Sequence, residues 1–439
     1  MNLRKPGLVL PLLAAVLLLV GCARHQRYPI NAFYQYDYET AVKGYRETVV
    51  EVNKNDEKNI VLADVHLASA SFVAGNYHDS LESLGRASKV MDDVEHGTGR
   101  GQAAMVLAQD LRVYKGEPYE RAMAYTYMGL IYFRRGDWEN ARSAFNLALL
   151  ADRTSKGDNE EYRDDFALAH YLIGRTYLKL GEADNAAISF NKVKKYMPDN
   201  RFADAASVAD TNVTFVVELG CGPGKIPDPF VGSVDTIRPC LYPERSAEIL
   251  VDGQSIGRTG KLVDMNYQAK TSGSSGRDVA QAVKGAAVAV MKQLPFVGIL
   301  GSVAEMAGVN KADLRHWRHM PGEVHVLEAK IPEGMHTVQI NFYDEKGTEL
   351  ERFRQVHYYF RVGEPVAPEL KGEPLYVIRS GMDRHNAVRP YAAEYLAWGQ
   401  AGPILLQGRG MESAFGPDAG MPIKTECTWT FAGRAAGSC

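Results

Sequence analysis

The residues best spaced for chemistry run from Val217 to Gly224, V-E-L-G-C-G-P-G. A β-forming run that ends in closely spaced glycines can bring backbone N–H groups against a phosphate or nucleoside. It needs a helix directly afterwards, whose first turn adds its own unpaired donors. Asp235 stands where a carboxylate for a ribose hydroxyl would be sought. The following residues do not suit that chemistry. Pro227 and Pro229 come at once, and too little chain precedes Val231 for a crossover helix, which takes about a dozen residues. Lys225 is followed by Ile226, so the hydroxyl that a phosphate-binding loop lends to Mg²⁺ is missing. His316-Trp317-Arg318-His319 could set two imidazoles on one helical face, but no Cys, Asp or Glu cluster completes a metal shell. No Gly-x-Ser-x-Gly elbow and no His-Glu-x-x-His pair occurs. The expectation is a protein that is not an enzyme, with no cofactor and no metal. The glycines then read as a strand end and a Gly-Pro turn pinned by Cys221.

Cys22 is the other side chain with a chemical use. It closes an apolar run from Leu8 to Val20 that follows Arg4 and Lys5 and is interrupted by Pro11. A basic start, an apolar middle and a small-residue exit are the layout of a secretory signal. The run is short for a membrane span, which needs ~20 residues. Its ending, Leu19-Val20-Gly21-Cys22, resembles the bacterial lipobox. That resemblance implies cleavage before Cys22, acylation of its thiol and amine (palmitate among the chains), and a mature chain tethered by lipid. Each buried methylene contributes ~0.8 kcal/mol, so more than one chain holds a protein durably on a bilayer. Residue 23 is alanine rather than aspartate, which by the sorting rule for such lipoproteins implies the outer membrane, facing the periplasm.

Length and composition agree with a multidomain globular chain. The 439 residues suggest two or three domains, and a 46% apolar content supports real cores. A net charge of -3 gives no reason to expect nucleic acid. Beyond Cys22 stand Cys221, Cys240, Cys427 and Cys439. An oxidising compartment permits disulfides, and four cysteines allow three pairings. Local pairing favours Cys221 with Cys240 and Cys427 with Cys439; free thiols are the alternative.

The elements that position these residues begin with a repeat. In 122–153, Tyr125, Met128, Gly129, Tyr132, Gly136, Trp138, Ala141, Phe145 and Ala148 recur at the offsets that Ile173, Gly174, Tyr177, Gly181, Ala186, Phe190 and Pro198 repeat in 167–198. A weaker copy has Leu67, Ala68, Gly75, Tyr77, Leu84 and Ala87, and a half copy has Tyr38, Ala41 and Tyr45. The pattern resembles the tetratricopeptide repeat, a helical hairpin that cannot bury its apolar face alone and so stacks on its neighbours. The expectation is a helical solenoid over residues 31–200. A glycine-rich insertion with a helical stretch from Gln102 to Tyr114, and a charged excursion over Thr154–Asp165, break its regularity. In such solenoids the first helix of each pair lines the concave face. Here that face would carry Ser69, Phe72, Thr126, Leu130, Phe133, Arg134, Tyr171, Arg175 and Lys179. Arg134, Arg175 and Lys179 on an open groove would suit an acidic peptide partner; a solvated basic face is the plainer alternative.

After Pro198 the pattern turns to β. Thr211–Leu219, Val324–Ile331, Thr337–Tyr343 and Arg352–Val362 are strand candidates, and Ala247–Ile256 reads as a hairpin turning at Asp252-Gly253. V-D-G-Q-S-I-G-R-T and P-E-G-M-H-T-V-Q-I resemble the two ends of a PEGA-type β-sandwich, with Gly260 in place of the usual proline. Between them Asp278–Gly308 reads as helices split at Pro295 and Gly298, a buried or domain-joining hairpin; a membrane hairpin is the alternative, against which Lys284, Lys292 and Glu305 argue. The expected architecture is α+β and multidomain: signal peptide 1–21, tether 22–30, solenoid 31–200, and a β-sandwich-like domain over 205–365. A helical insertion at about 265–320 interrupts that domain, and an irregular Gly/Pro-rich tail occupies 366–439.

Two further resemblances remain. Val217–Gly224 looks like the first motif of S-adenosylmethionine methyltransferases, a reading disfavoured by the missing helix. Tyr114-Lys-Gly-Glu-Pro-Tyr-Glu-Arg121 and Ala312-Asp-Leu-Arg-His-Trp-Arg-His-Met-Pro-Gly322 resemble segments of a family of tetratricopeptide outer-membrane lipoproteins. That family implies no reaction, and implies neighbours that activate peptidoglycan synthases. The leading expectation is a lipid-anchored, non-enzymatic envelope scaffold that binds a protein partner through its solenoid. The alternatives are a regulator of peptidoglycan or envelope-polymer synthesis, a glycan-binding module, and a pilus or secretion assembly factor.

Overall fold

A computed structural model describes residues 28–92, 113–155, 164–227, 235–271, 312–363, 375–381 and 388–390. The signal peptide with Cys22, the glycine-rich 93–112, most of the insertion (272–311) and nearly all of the tail lie outside the described residues. So do the helix expected in Asp278–Gly308 and all of the one expected in Gln102–Tyr114 except Val113 and Tyr114, which are not helical.

The amino-terminal part is helical. A short helix α1 (28–34) leads into α2 (Tyr38–Asn55). Three antiparallel hairpins follow: α3 (Ile60–Val73) with α4 (Tyr77–Asp92), α5 (Pro118–Arg135) with α6 (Trp138–Ser155), and α7 (Ala167–Leu180) with α8 (Ala183–Tyr196). The repeat spacing explains how they close. A Cβ on Gly129 would stand 2.2 Å from the Phe145 ring, and one on Gly174 would stand 2.8 Å from the Phe190 ring. Each glycine thus lets the second helix lay an aromatic ring directly on the backbone of the first. Helix α5 starts on Pro118 with a reciprocal cap between Glu117 and Glu120, and both α5 and α7 stop at left-handed glycines, Gly136 and Gly181.

A single turn, α9 (Ala205–Val208), leads to the sheets. Strand β1 (Val213–Leu219) is flanked by β7 (Glu323–Ala329), antiparallel, and by β10 (Leu375–Arg379), parallel; β6 (Gly260–Asp264) completes the order β10-β1-β7-β6. A second sheet runs β11-β9-β8-β4-β5, with β4 (Ser246–Val251), β5 (Gln254–Arg258), β8 (Gly334–Tyr343), β9 (Gln355–Val362) and β11 (Val388–Pro390). A ribbon of β2 (Gly224–Pro227) and β3 (Asp235–Arg238) stands apart. The two larger sheets meet through Phe215 of β1, stacked 5.4 Å from Phe360 of β9, and Phe360 in turn lies 3.9 Å from Tyr376 of β10. The chain passes from one sheet to the other at Thr259, whose N–H donates to Ala247 O at 2.9 Å. Helix α10 (Met265–Thr271) opens the inserted stretch.

The turn at Asp252-Gly253 has both residues at positive φ, +50° and +80°, as a two-residue hairpin requires. Asp252 also joins the two halves of the β region: its carboxylate faces His336 Nδ1 at 2.7 Å and accepts the Thr337 N–H at 2.8 Å. The expectation of an irregular tail from 366 is corrected at Leu375–Arg379. This L-Y-V-I-R run is a largely buried strand because β1 offers it a parallel edge.

Candidate functional site

The expected partner groove is occupied by the chain itself. Thr126, Leu130, Phe133, Arg134, Tyr171 and Arg175 are all buried, as are Ser69 and Phe72; Lys179 alone of the proposed groove residues is exposed. Their neighbours are strands of the β10-β1-β7-β6 sheet. Arg175 Nε lies 3.3 Å from Glu328 Oε1 of β7, and Arg175 Nη1 donates to Val208 O at 2.6 Å. Tyr171 donates its hydroxyl hydrogen to the same Glu328, which also accepts from Thr214 at 3.0 Å and Thr211 at 3.0 Å. Arg134 donates to Leu375 O of β10, with its guanidinium 5.1 Å from the Tyr77 ring and 5.5 Å from that of Tyr376. The open basic groove is therefore corrected. Arg134 and Arg175 meet a carboxylate and carbonyls of the same chain, because strands β1, β7 and β10 lie along the first helices of the repeats.

A second buried cluster sits deeper along this contact. Tyr127 of α5 donates to Glu218 Oε1 at 2.6 Å, and Arg379 Nη1 donates to Glu218 Oε2 at 3.3 Å. Burial raises the Glu218 carboxyl, while Arg379 and the Tyr127 hydroxyl pull it back down. Burial raises the Tyr127 phenol well above its usual range, and Glu218 adds to that. Glu218 and Glu328 are site residues that the motif search misses. A sequence signal was present: a lone carboxylate inside an apolar strand needs a buried partner, since an unpaired one costs several kcal/mol.

The two segments that carry the lipoprotein-family resemblance meet each other. The Trp317 N–H donates to Glu120 Oε1 at 2.6 Å, Tyr114 donates to Glu120 as well, and the Arg315 guanidinium lies 5.4 Å from the Tyr114 ring. Residues 312–322 form a loop rather than a helix, so His316 and His319 do not share a face. His319 is fully buried, with Nε2 2.9 Å from the Tyr45 hydroxyl and Nδ1 3.1 Å from Ser69 Oγ, under a stacked Phe33 ring at 3.6 Å. Burial, reinforced by His66, pushes His319 well below the usual imidazole range. His66 is itself pushed down to about 3, chiefly by burial, and accepts the Arg318 N–H at 3.2 Å. Among the described residues no group of three His, Cys, Asp or Glu is placed to hold a metal. Among the same residues no helix is long and apolar enough to cross a membrane.

The glycine-rich motif ends β1 and runs into β2, a strand where a nucleotide crevice needs a helix. Lys225 is buried and paired with Glu117, and Asp235 lies 4.0 Å from its ammonium. A disulfide joins Cys221 to Cys240, with Cα atoms 5.7 Å apart; Cys427 and Cys439 lie outside the described residues. Beside it opens a cleft of about 550 Å³, between α1, the disulfide loop, residues 352–353 and the end of β10. Tyr34, Tyr36, Tyr38, Tyr242 and Phe353 line it, together with Glu244 and Arg379. The Tyr242 ring is wedged over the backbone of Gly220 and Gly322, where any Cβ would stand within 2.1 and 2.3 Å of it.

Tetratricopeptide-repeat family models match residues 167–200 and 123–150. No curated protein matches the chain. Among solved structures, the crystal structure of MamA is similar at 19% identity and a TM-score of 0.26, covering 39% of this chain and 74% of that one. The chain thus carries tetratricopeptide repeats in its helical amino-terminal region, and a sheet-containing region follows them. Repeats of this class point to protein–protein interaction.

Proposed function

We propose that this chain is a lipid-anchored, non-enzymatic scaffold of the bacterial cell envelope whose solenoid clasps its own β-half and offers partners the surfaces outside that clasp. One observation carries the reading: Arg175 and Glu328, paired in the interior, commit the concave face to the sheet. An open repeat array takes its ligand in that concavity. A filled one leaves the second helices and the solenoid edge, where Ile188 of α8 is 62% exposed. Leu19-Val20-Gly21-Cys22 supports the tether, and Ala23 supports an outer-membrane, periplasm-facing position. The Cys221–Cys240 disulfide suits an oxidising compartment. In this reading the two sheets are a PEGA-like sandwich packed through Phe215 and Phe360, with residues of about 265–320 inserted.

The test is labelling of cells with a palmitate analogue, followed by fractionation. Label in the wild type and none in Cys22→Ser supports the anchor; an unlabelled, uncleaved wild type refutes it. A photo-crosslinker at Ile188 then captures the partner. A second reading, a regulator of peptidoglycan or envelope-polymer synthesis that touches the polymer, draws on the aromatic cleft beside the disulfide. Co-sedimentation with insoluble peptidoglycan, abolished by Tyr36→Ala, would favour it.

A further inference from the structure

The cleft beside the disulfide holds a carboxylate without enough donors. Glu244 is 2% exposed and lines the cleft. Its Oε1 accepts from Ser380 Oγ at 2.7 Å, while its Oε2 is buried with no hydrogen-bond partner. Arg379 and Arg245 are already engaged. Arg379 donates to Glu218 at 3.3 Å and to Met320 O at 3.2 Å. Arg245 donates to the Glu244 backbone carbonyl at 3.4 Å and lays its guanidinium 4.6 Å from the Tyr242 ring. Arg352 lies exposed at the rim. A buried carboxylate oxygen in this state is costly, and an N–H donor from outside the chain would satisfy it. Six aromatic residues, Phe33, Tyr34, Tyr36, Tyr38, Tyr242 and Phe353, line the wall around it, which favours a cation over the ring faces and an aliphatic stem along their edges.

We infer that this cleft binds a protonated primary amine on an aliphatic stem, with the ammonium on Glu244 Oε2 and the stem among Tyr34, Tyr36 and Tyr242. The inference rests on the cleft alone and does not depend on the anchor or on the scaffold reading. Two sources carry that chemistry, a lysine side chain presented by a protein and a free small amine.

Calorimetric titration of the mature full-length chain distinguishes them. The probes are Nα-acetyl-lysine amide and pentylammonium, with 1-pentanol as the uncharged control. Saturable binding of either amine, none of pentanol, and a loss of roughly tenfold or more in Glu244→Gln are expected. Tighter binding of the lysine amide assigns the site to a protein lysine; tighter binding of pentylammonium assigns it to a small amine. Leu241→Arg provides a second arm, because Leu241 lines the cleft and is 90% exposed, so its exchange leaves the core intact. A new cation there should weaken amine binding. No saturable binding at millimolar amine, equal binding of pentanol, or an affinity unchanged in either variant would overturn the inference.

Discussion

Arg175 of the last repeat and Glu328 of strand β7 form an ion pair at 3.3 Å, with their side chains 2% and 0% exposed. The pair spans the boundary between the helical and sheet-containing regions. It converts what sequence alone presents as a basic groove into an internal joint. Removing one partner strands the other charge in the interior, at a cost of about 3–5 kcal/mol. Arg175→Met and Glu328→Leu should each lower stability by that order in urea unfolding. The double variant should recover much of the loss, since apolar replacements of a buried pair are often neutral or better. Additive losses in the double variant would mean that the two residues do not meet.

Close helix approach should be graded by the space behind each glycine. Gly129→Ala forces a methyl to within 2.2 Å of Phe145, while Gly174→Ala meets Phe190 at 2.8 Å. Overpacking of this kind costs about 1–3 kcal/mol. The melting temperature should fall in both variants, and further for Gly129→Ala. Phe145→Leu should restore part of the loss in the first variant only.

The buried histidines set an acid limit. Both His66 and His319 are held below the ordinary imidazole value, His66 at about 3. The unfolded chain takes up protons below pH ~6.5 while the folded chain does not, so stability falls as the pH drops from there toward 3. Each such group contributes a slope of up to about 1.4 kcal/mol per pH unit. Stability between pH 7 and pH 4 should therefore decline steeply, and less so in His66→Gln. A pH-independent stability would show these rings to be exposed.

Cys221 and Cys240 close a loop of sequence separation 19. In the chain-entropy picture such a bridge is worth about 3 kcal/mol. Reductant, or Cys221→Ser with Cys240→Ser, should lower the urea midpoint accordingly, with the tyrosine-lined cleft perturbed first. Equal midpoints with and without reductant would contradict the bridge.

The helices were legible because their signal is periodic and local. Gly129, Phe145 and Gly136 recur forty-five residues later as Gly174, Phe190 and Gly181, and each spacing states a contact. The strands around Phe215, Ile249 and Ile340 were legible from β-branched runs. Leu375–Arg379 was not, since a short strand after Gly/Pro-rich chain becomes β only when β1 supplies its edge. The residues expected on the concave face are buried except Lys179, and what Arg134 and Arg175 meet there comes from residues far away in the chain. Glu218 and Glu328, charges inside apolar strands, were the local hint. Glu244 gave none, because the Ser380 that meets its carboxylate comes from far along the chain.

The filled concavity is tested most directly by a photo-crosslinking phenylalanine analogue at Phe133, buried on the first helix of the best repeat, in intact cells. The expected product is an intramolecular adduct, mapped by mass spectrometry to residues of the sheet-containing region, with no second protein attached. An adduct joining position 133 to a different protein in high yield would show the groove to be open, and would contradict the account.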